Sequence, residues 1–293
     1  TAGDTIPPAM PTTRSIAITP EIQFGGDNPP LFIAGPCVIE GLEHALKMAR
    51  TLVRLRDELK INLVYKSSFD KANRSSPGSP RGPGMEDGLR RLERIRAATG
   101  LPLLTDVHLP EQCAPVAEVV DVLQIPAFLC RQTDLLVAAG AAGKPVNVKK
   151  GQWMAPAEMR GAVAKVRAAG SSAVAVTERG TFFGYGNLVV DMRNFTLLRE
   201  ACGAPAVFDG THSVQRPGEG PGVSGGDPQF IPSLVRAAVA AGADALFVET
   251  HPEPAKGVSD TTNMLPLYRL RPLVEEVLEI RAALGMDTEA ARV

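Results

Sequence analysis

No stretch of the 293-residue chain stays apolar for the roughly 18 residues that a membrane-spanning helix needs, so no membrane partner is expected. The opening residues TAGDTIPPAMPTTR lack the apolar core of a secretion signal. Residues 1–14 read as a loose Pro/Thr-rich tail, ahead of a single domain over residues 15–293. Neither sign of charge is in excess: 31 Lys+Arg against 32 Asp+Glu leave a formal charge of −1. That balance excludes a general polyanion-binding surface, and with it a nucleic-acid partner. The four cysteines, Cys37, Cys113, Cys130 and Cys202, lie far apart with no CxxC pair, against both a disulfide framework and a zinc ribbon. A reducing cytoplasm fits that usage. No GxGxxG follows the first apolar run, so the dinucleotide-binding fingerprint is missing too.

What is present is an alternation. Short apolar runs recur at 31–35 (LFIAG), 62–66 (NLVYK), 102–106 (PLLTD), 121–125 (DVLQI), 145–149 (PVNVK), 173–177 (AVAVT), 206–209 (AVFD) and 245–249 (ALFVE). Each is followed by a segment of helical periodicity: 42–60, 86–99, 111–119, 134–142, 156–169, 192–202, 228–241 and 265–284. Eight βα units in one domain-sized chain predict an α/β fold, a (β/α)8 TIM barrel, with a doubly wound open sheet as the alternative. Ahead of the first unit, SIAITPEIQFGGDNPP predicts a short β-hairpin turning at residues 25–28 and plugging the bottom of the barrel.

A barrel places its chemistry at the C-terminal ends of the strands, and polar residues gather there. Cys37 follows the first run, and Lys66 ends the second. Asp106 and His108 end the third, Gln124 lies in the fourth, and Lys149 and Lys150 end the fifth. Glu178 and Arg179 end the sixth, Asp209 and His212 the seventh, Glu249 and His251 the eighth. The opposite ends of the same runs are mostly uncharged, so chance placement explains this poorly.

One side of this rim is cationic. The segment YKSSFDKANRSSPGSPRGPG holds Lys66, Lys71, Arg74 and Arg81 among serines and glycines, and Lys149, Arg179 and Arg131 add to it. Guanidinium and ammonium groups beside hydroxyls and backbone amides suit phosphate and carboxylate recognition, and their number exceeds what one phosphate needs. The other side differs in kind: Cys37, His212, Glu249 and Asp260 offer a thiolate, an imidazole and two carboxylates. Closure of a barrel brings the first, seventh and eighth strands together, and this donor set suits Zn, Mn, Fe or Co better than Mg or Ca. Spacing and composition alone leave Cys37 as readily a buried structural cysteine as a ligand.

The motifs IAGPCVIE, KSSFDKANRSS, TDVH, IPAFLCRQTDLL, VNVKKGQW, TERGTFFGYGNLVVDMR, FDGTHSVQRPG and ETHPEPAKGVSD, in that order, resemble those of the 3-deoxy-D-manno-octulosonate 8-phosphate synthase family. The resemblance spans about residues 31 to 280. It implies a (β/α)8 barrel, usually a homotetramer, that condenses phosphoenolpyruvate with D-arabinose 5-phosphate in making the lipopolysaccharide inner core. KANRSS separates it from the 3-deoxy-D-arabino-heptulosonate 7-phosphate synthases, the erythrose 4-phosphate enzymes that form the alternative reading. By resemblance, Lys66, Ser68, Lys71, Gln124, Lys149, Arg179 and His212 bind phosphoenolpyruvate. Asn73, Arg74, Ser75 and Asp106 bind arabinose 5-phosphate, with Arg131 reaching in from a neighbouring subunit. Lys66, Asn73, Asp106, Lys149, His212 and Asp260 carry the catalysis. In this family a cysteine in the GPC motif marks the metal-dependent class, so Cys37, His212, Glu249 and Asp260 are expected to hold one divalent transition metal ion.

Overall fold

Runs such as LFIAG and VAVTE are apolar at nearly every position because both faces of their strands are covered, the pattern of parallel strands wrapped by helices. The computed structural model describes residues 14–73, 78–183, 186–220 and 223–286. Most of the expected tail, and the sugar-site candidates Arg74 and Ser75, lie outside these residues. Eight strands, Leu31–Gly35, Asn62–Lys66, Leu103–Asp106, Val122–Ile125, Val146–Lys149, Val174–Glu178, Ala206–Asp209 and Ala245–His251, pair in parallel with their sequence neighbours. The eighth pairs with both the seventh (Val207 opposite Ala245) and the first (Leu31 opposite Ala245, Gly35 opposite Glu249), which closes the barrel.

Alternate strand residues divide between two cores, as the two-residue period of a strand requires. Leu31, Ile33, Val64, Leu104, Val207 and Phe247 fill the inside, with Ile16 and Phe24 packed beneath them. Phe32, Leu63, Tyr65, Leu123, Phe208 and Val248 face outward onto the helices. The first helix, Leu42–Leu59, shows how each helix answers: Ala45, Met48, Ala49, Leu52 and Leu55 form one buried stripe at helical spacing.

Ile16 and Phe24 belong to the expected hairpin, Ile16–Ala17 paired with Gln23–Phe24. Its turn is not at residues 25–28. The chain reverses at 18–22, where Ile18 N–H donates to Ile22 O at 2.8 Å and Thr19 Oγ1 accepts from Ile22 N–H at 3.1 Å. The Thr-Pro pair therefore outcompetes the glycines as turn former. Gly25 instead takes a positive φ of 83° against Pro205, where a Cβ would lie 2.6 Å from the proline ring.

Three helices open with a 3₁₀ turn where their periodicity predicts α-helix. Pro156–Glu158, Pro228–Phe230 and Leu267–Arg269 are single 3₁₀ turns leading into Met159–Ala168, Ile231–Ala240 and Leu270–Ala283. Leu265–Pro266 pairs in parallel with Thr250 and His251, which lengthens the eighth strand beyond the expected 245–249. No helix among the described residues is long and apolar enough to cross a membrane.

Candidate active site

Because all eight strands run the same way, their C-terminal ends share one rim, and a cavity of about 490 Å³ opens there. Of the residues named from the sequence, Lys66, Lys71, Asn73, Asp106, Gln124, Lys149, Arg179, His212, Glu249 and Asp260 line it. Cys37 and Ser68 are buried just outside its lining. Arg131 is exposed after the short turn Ala127–Leu129 and does not line its own chain's cavity.

The end of the second strand lies close to the first because position 35 is glycine: a Cβ there would sit 1.9 Å from Lys66 O. Lys66, 2% exposed, donates through Nζ to Cys37 O at 3.0 Å and to Glu249 Oε1 across the barrel. Lys71 Nζ is 3.8 Å from the same oxygen. Lys149 Nζ donates to Asp209 Oδ2 at 2.5 Å and sits 3.7 Å from the centre of the Phe247 ring, so one aromatic face supports a buried ammonium. Burial pulls the Lys149 ammonium below its ordinary range, against the opposing pull of Asp209. For Lys71 burial acts downward as well, but the carboxylates of Glu249, Asp106 and Asp260 outweigh it and hold the amine strongly protonated.

At the end of the third strand, Asp106 accepts from Ser68 Oγ with one oxygen and lies 2.9 Å from His108 Nε2 with the other. Gln124 is fixed from below by a buried chain: Thr177 Oγ1 donates to Asn147 Oδ1 at 2.7 Å, and Asn147 Nδ2 to Gln124 Oε1 at 3.1 Å. Lys150 is fully buried and does not face the cavity. It donates to Thr181 Oγ1 at 3.0 Å and pairs with Glu178 at 3.6 Å, tying two rim loops together.

Three of the four expected donors converge as closure requires, and His212 stands beside them without joining the group. Cys37, Glu249 and Asp260 each bring a potential ligand atom to within 4.8 Å of the other two. His212 Nε2 approaches Glu249 Oε2 at 3.5 Å, while its Nδ1 is held by Asp209 Oδ2 at 2.7 Å. A carboxylate behind the far nitrogen is the usual way of aiming an imidazole at a metal. Among the described residues Glu249 Oε2 is buried with no hydrogen-bond partner, a costly state for a carboxylate oxygen without a cation beside it. Burial, then Asp260 and Glu249, push the Cys37 thiol far up, so its Sγ–H donates to Asp260 Oδ2 at 2.8 Å. A divalent cation would displace that proton. The residues present therefore fit a borderline transition metal.

A second group, Glu40, His44 and His251, also has ligand atoms within 4.8 Å of one another. There His251 Nδ1 accepts from Glu253 N–H at 3.0 Å, which puts the ring proton on Nε2, 3.5 Å from Glu40 Oε1. The nitrogen facing the carboxylate thus carries a proton in place of a free lone pair, and at that separation it makes no hydrogen bond among the described residues.

Sequence reasoning overlooked Gln215. It sits in FDGTHSVQRPG with nothing local to mark it, yet it lines the cavity between Arg179 and Asp260.

Comparison with known proteins agrees with this geometry. Residues 11–284 match the model of the DAHP synthetase I family. A protein of Syntrophotalea carbinolica named 2-dehydro-3-deoxyphosphooctonate aldolase is 51% identical over 96% of this chain and 100% of its own length. Proteins of the same name from Magnetococcus marinus and Alkalilimnicola ehrlichii are 53% and 54% identical, over 91% and 88% of this chain and 92% and 93% of theirs.

Proposed function

The chain belongs to the DAHP synthetase I family, and from that premise we propose that it condenses phosphoenolpyruvate with D-arabinose 5-phosphate and water, giving 3-deoxy-D-manno-octulosonate 8-phosphate and phosphate. It is a transferase, and the shared name of its relatives favours this reaction over the erythrose 4-phosphate alternative. The observation that carries the reading is a cavity in which Lys66, Lys71, Lys149 and Arg179 stand beside His212, Glu249 and Asp260, with the sulfur of Cys37 buried next to the two carboxylates.

The main obstacle to the reaction is bringing two anions into contact, and the cations offset their repulsion. Lys66, Lys71, Gln124 and Arg179 hold the carboxylate and phosphate of phosphoenolpyruvate, and Arg179 Nη1 is buried with no partner among the described residues. Ser68 orients Asp106 and supports this half. Asn73 and Asp106 face the sugar hydroxyls, and Arg74 and Ser75, which lie outside the described residues, are assigned to its phosphate by the KANRSS motif.

A divalent ion held by Cys37, His212, Glu249 and Asp260 would supply a Lewis acid for the aldehyde oxygen or the attacking water. C3 of phosphoenolpyruvate forms the new bond to the aldehyde carbon, whose oxygen gains negative charge and takes up a proton. Lys149, the buried ammonium of this face, is placed to stabilise that oxygen. Water adds at C2 and gives up a proton, and the C2–O bond of the resulting hemiketal phosphate breaks to release phosphate. Asp209 keeps the proton of His212 on Nδ1, so that Nε2 stays turned toward Glu249.

We further propose a cytoplasmic homotetramer in which Arg131 completes a neighbour's sugar site. That Arg131 is exposed and away from its own cavity is consistent with this. The deciding experiment measures phosphate release from phosphoenolpyruvate with arabinose 5-phosphate and with erythrose 4-phosphate, each with and without chelator. Preference for the five-carbon sugar and loss of turnover on chelation are expected. Preference for the four-carbon sugar would overturn the reading.

A further inference from the structure

Gln215 opens the hairpin Gln215–Gly220 with Val223–Gly226, which follows the seventh strand. Its Oε1 accepts from Arg179 Nη2 at 2.5 Å and its Nε2 donates to Asp260 Oδ1 at 2.9 Å. The orientation of the amide is forced, since a guanidinium offers only donors and a carboxylate only acceptors. One planar group therefore spans the gap between the anion-binding cations and the sulfur-carboxylate cluster.

Arg179 is left half-used in a way that points to a ligand, whereas both oxygens of Asp260 are held by neighbours. Arg179 is 4% exposed, and with Nη2 taken by Gln215 its Nη1 is buried at the cavity without a partner among the described residues. Asp260 has Oδ1 taken by Gln215, while Oδ2 receives Cys37 Sγ at 2.8 Å and Ser259 Oγ at 3.0 Å. The Asp260 backbone is at φ 52°, a left-handed conformation that costs energy for a residue with a Cβ and persists only when its surroundings hold it. Gln215 is one of the groups that hold it, from a separate loop.

We propose that Gln215 is a positioning residue that couples the two halves of the site, so that phosphoenolpyruvate and the metal ion each tighten the binding of the other. The inference rests on the functional reading above. An anion on Arg179 Nη1 fixes the guanidinium where its Nη2 meets Gln215. The amide is then held against Asp260 Oδ1, and Oδ2 stays turned toward Cys37 and Glu249. Ordering runs equally in the reverse direction, because coupling between two binding sites is reciprocal.

The test loads the full-length protein with metal, titrates it with a competing chelator, and follows the metal retained by elemental analysis, with and without phosphoenolpyruvate. Wild type is expected to need about five- to tenfold more chelator when phosphoenolpyruvate is present. In Gln215→Met that protection falls below about twofold, the KM for phosphoenolpyruvate rises, and the KM for arabinose 5-phosphate stays unchanged. Gln215→Leu serves as the second variant, since it also removes both hydrogen bonds. Equal chelator sensitivity of wild type with and without phosphoenolpyruvate overturns the coupling, whatever the variants do. So does full protection in either folded variant, which would mean that the substrate contacts the metal directly. A wild type that releases no phosphate with any aldose phosphate refutes the functional reading instead, so the two failures are distinguishable.

Discussion

The sulfur of Cys37 lies 2.8 Å from Oδ2 of Asp260, joining the turn after the first strand to the loop after the eighth. A buried thiol pushed far up by burial and two carboxylates has little use as a base or nucleophile, and its ordinary pKa of about 8.5 would already leave it mostly protonated at neutral pH. It makes chemical sense as a metal ligand. Stripping with a strong chelator is expected to abolish most turnover, and Mn, Co, Fe or Zn to restore it to differing extents. Cys37→Ala should retain less metal and resist rescue at concentrations that saturate wild type. Full-rate turnover by protein verified metal-free would return Cys37 to the ordinary buried cysteines.

Asp106 supplies a pH prediction. Burial alone would raise its carboxyl, but the hydrogen bond and charge of His108, with Lys71 and Lys66, outweigh it and hold the group well below the usual range. A carboxylate depressed in the folded state stabilises fully above its unfolded pKa, near 4, and that contribution is lost as pH falls toward the folded value. Asp106→Asn should therefore cost about 1.5–3 kcal/mol at neutral pH, the range for a hydrogen bond to a charged group. The gap from wild type should narrow below about pH 5. Urea unfolding across a pH series reads this directly, and a gap that widens on acidification would refute it.

Arg74→Ala is expected to weaken arabinose 5-phosphate far more than phosphoenolpyruvate, by about 1.5–3 kcal/mol for one charge-assisted phosphate contact. Steady-state kinetics with each substrate varied in turn give the split. An equal rise in both Michaelis constants would remove Arg74 from the sugar phosphate.

Arg131→Ala and Lys149→Ala are each expected to be inactive alone. Mixed under conditions of subunit exchange, they should recover part of the activity, because hybrid assemblies contain sites with neither lesion. No recovery after exchange has been demonstrated by mass would rule out a site shared between subunits.

Much of this architecture was legible in the order of residues. The eight apolar runs and their intervening helical stripes record two local periods, and those periods are properties of a strand or helix taken alone. Parallel direction follows from the alternation, and with it the gathering of Lys66, Asp106, Lys149, His212 and Glu249 on one rim. Local chemistry misled at finer scale. The Gly25–Gly26 pair looked like the hairpin turn, but Thr19 and Pro20 reversed the chain first. Helix starts at Pro156, Pro228 and Leu265 were displaced by 3₁₀ turns, and at Leu265 also by pairing with Thr250 that no helical period encodes.

The order of residues thus settled which side chains reach the rim, since position along a strand is a local property. Which of them touch could be settled only by barrel closure. Lys66 meets Glu249 from 183 residues away and Cys37 meets Asp260 from 223, because the first and eighth strands become hydrogen-bonded neighbours. Gln215 acquires its place between Arg179 and Asp260 because the seventh strand lies between the sixth and the eighth. Hydrogen bonds and charge pairing in a buried site depend on separations in space and on loss of water, and neither leaves a period in the chain.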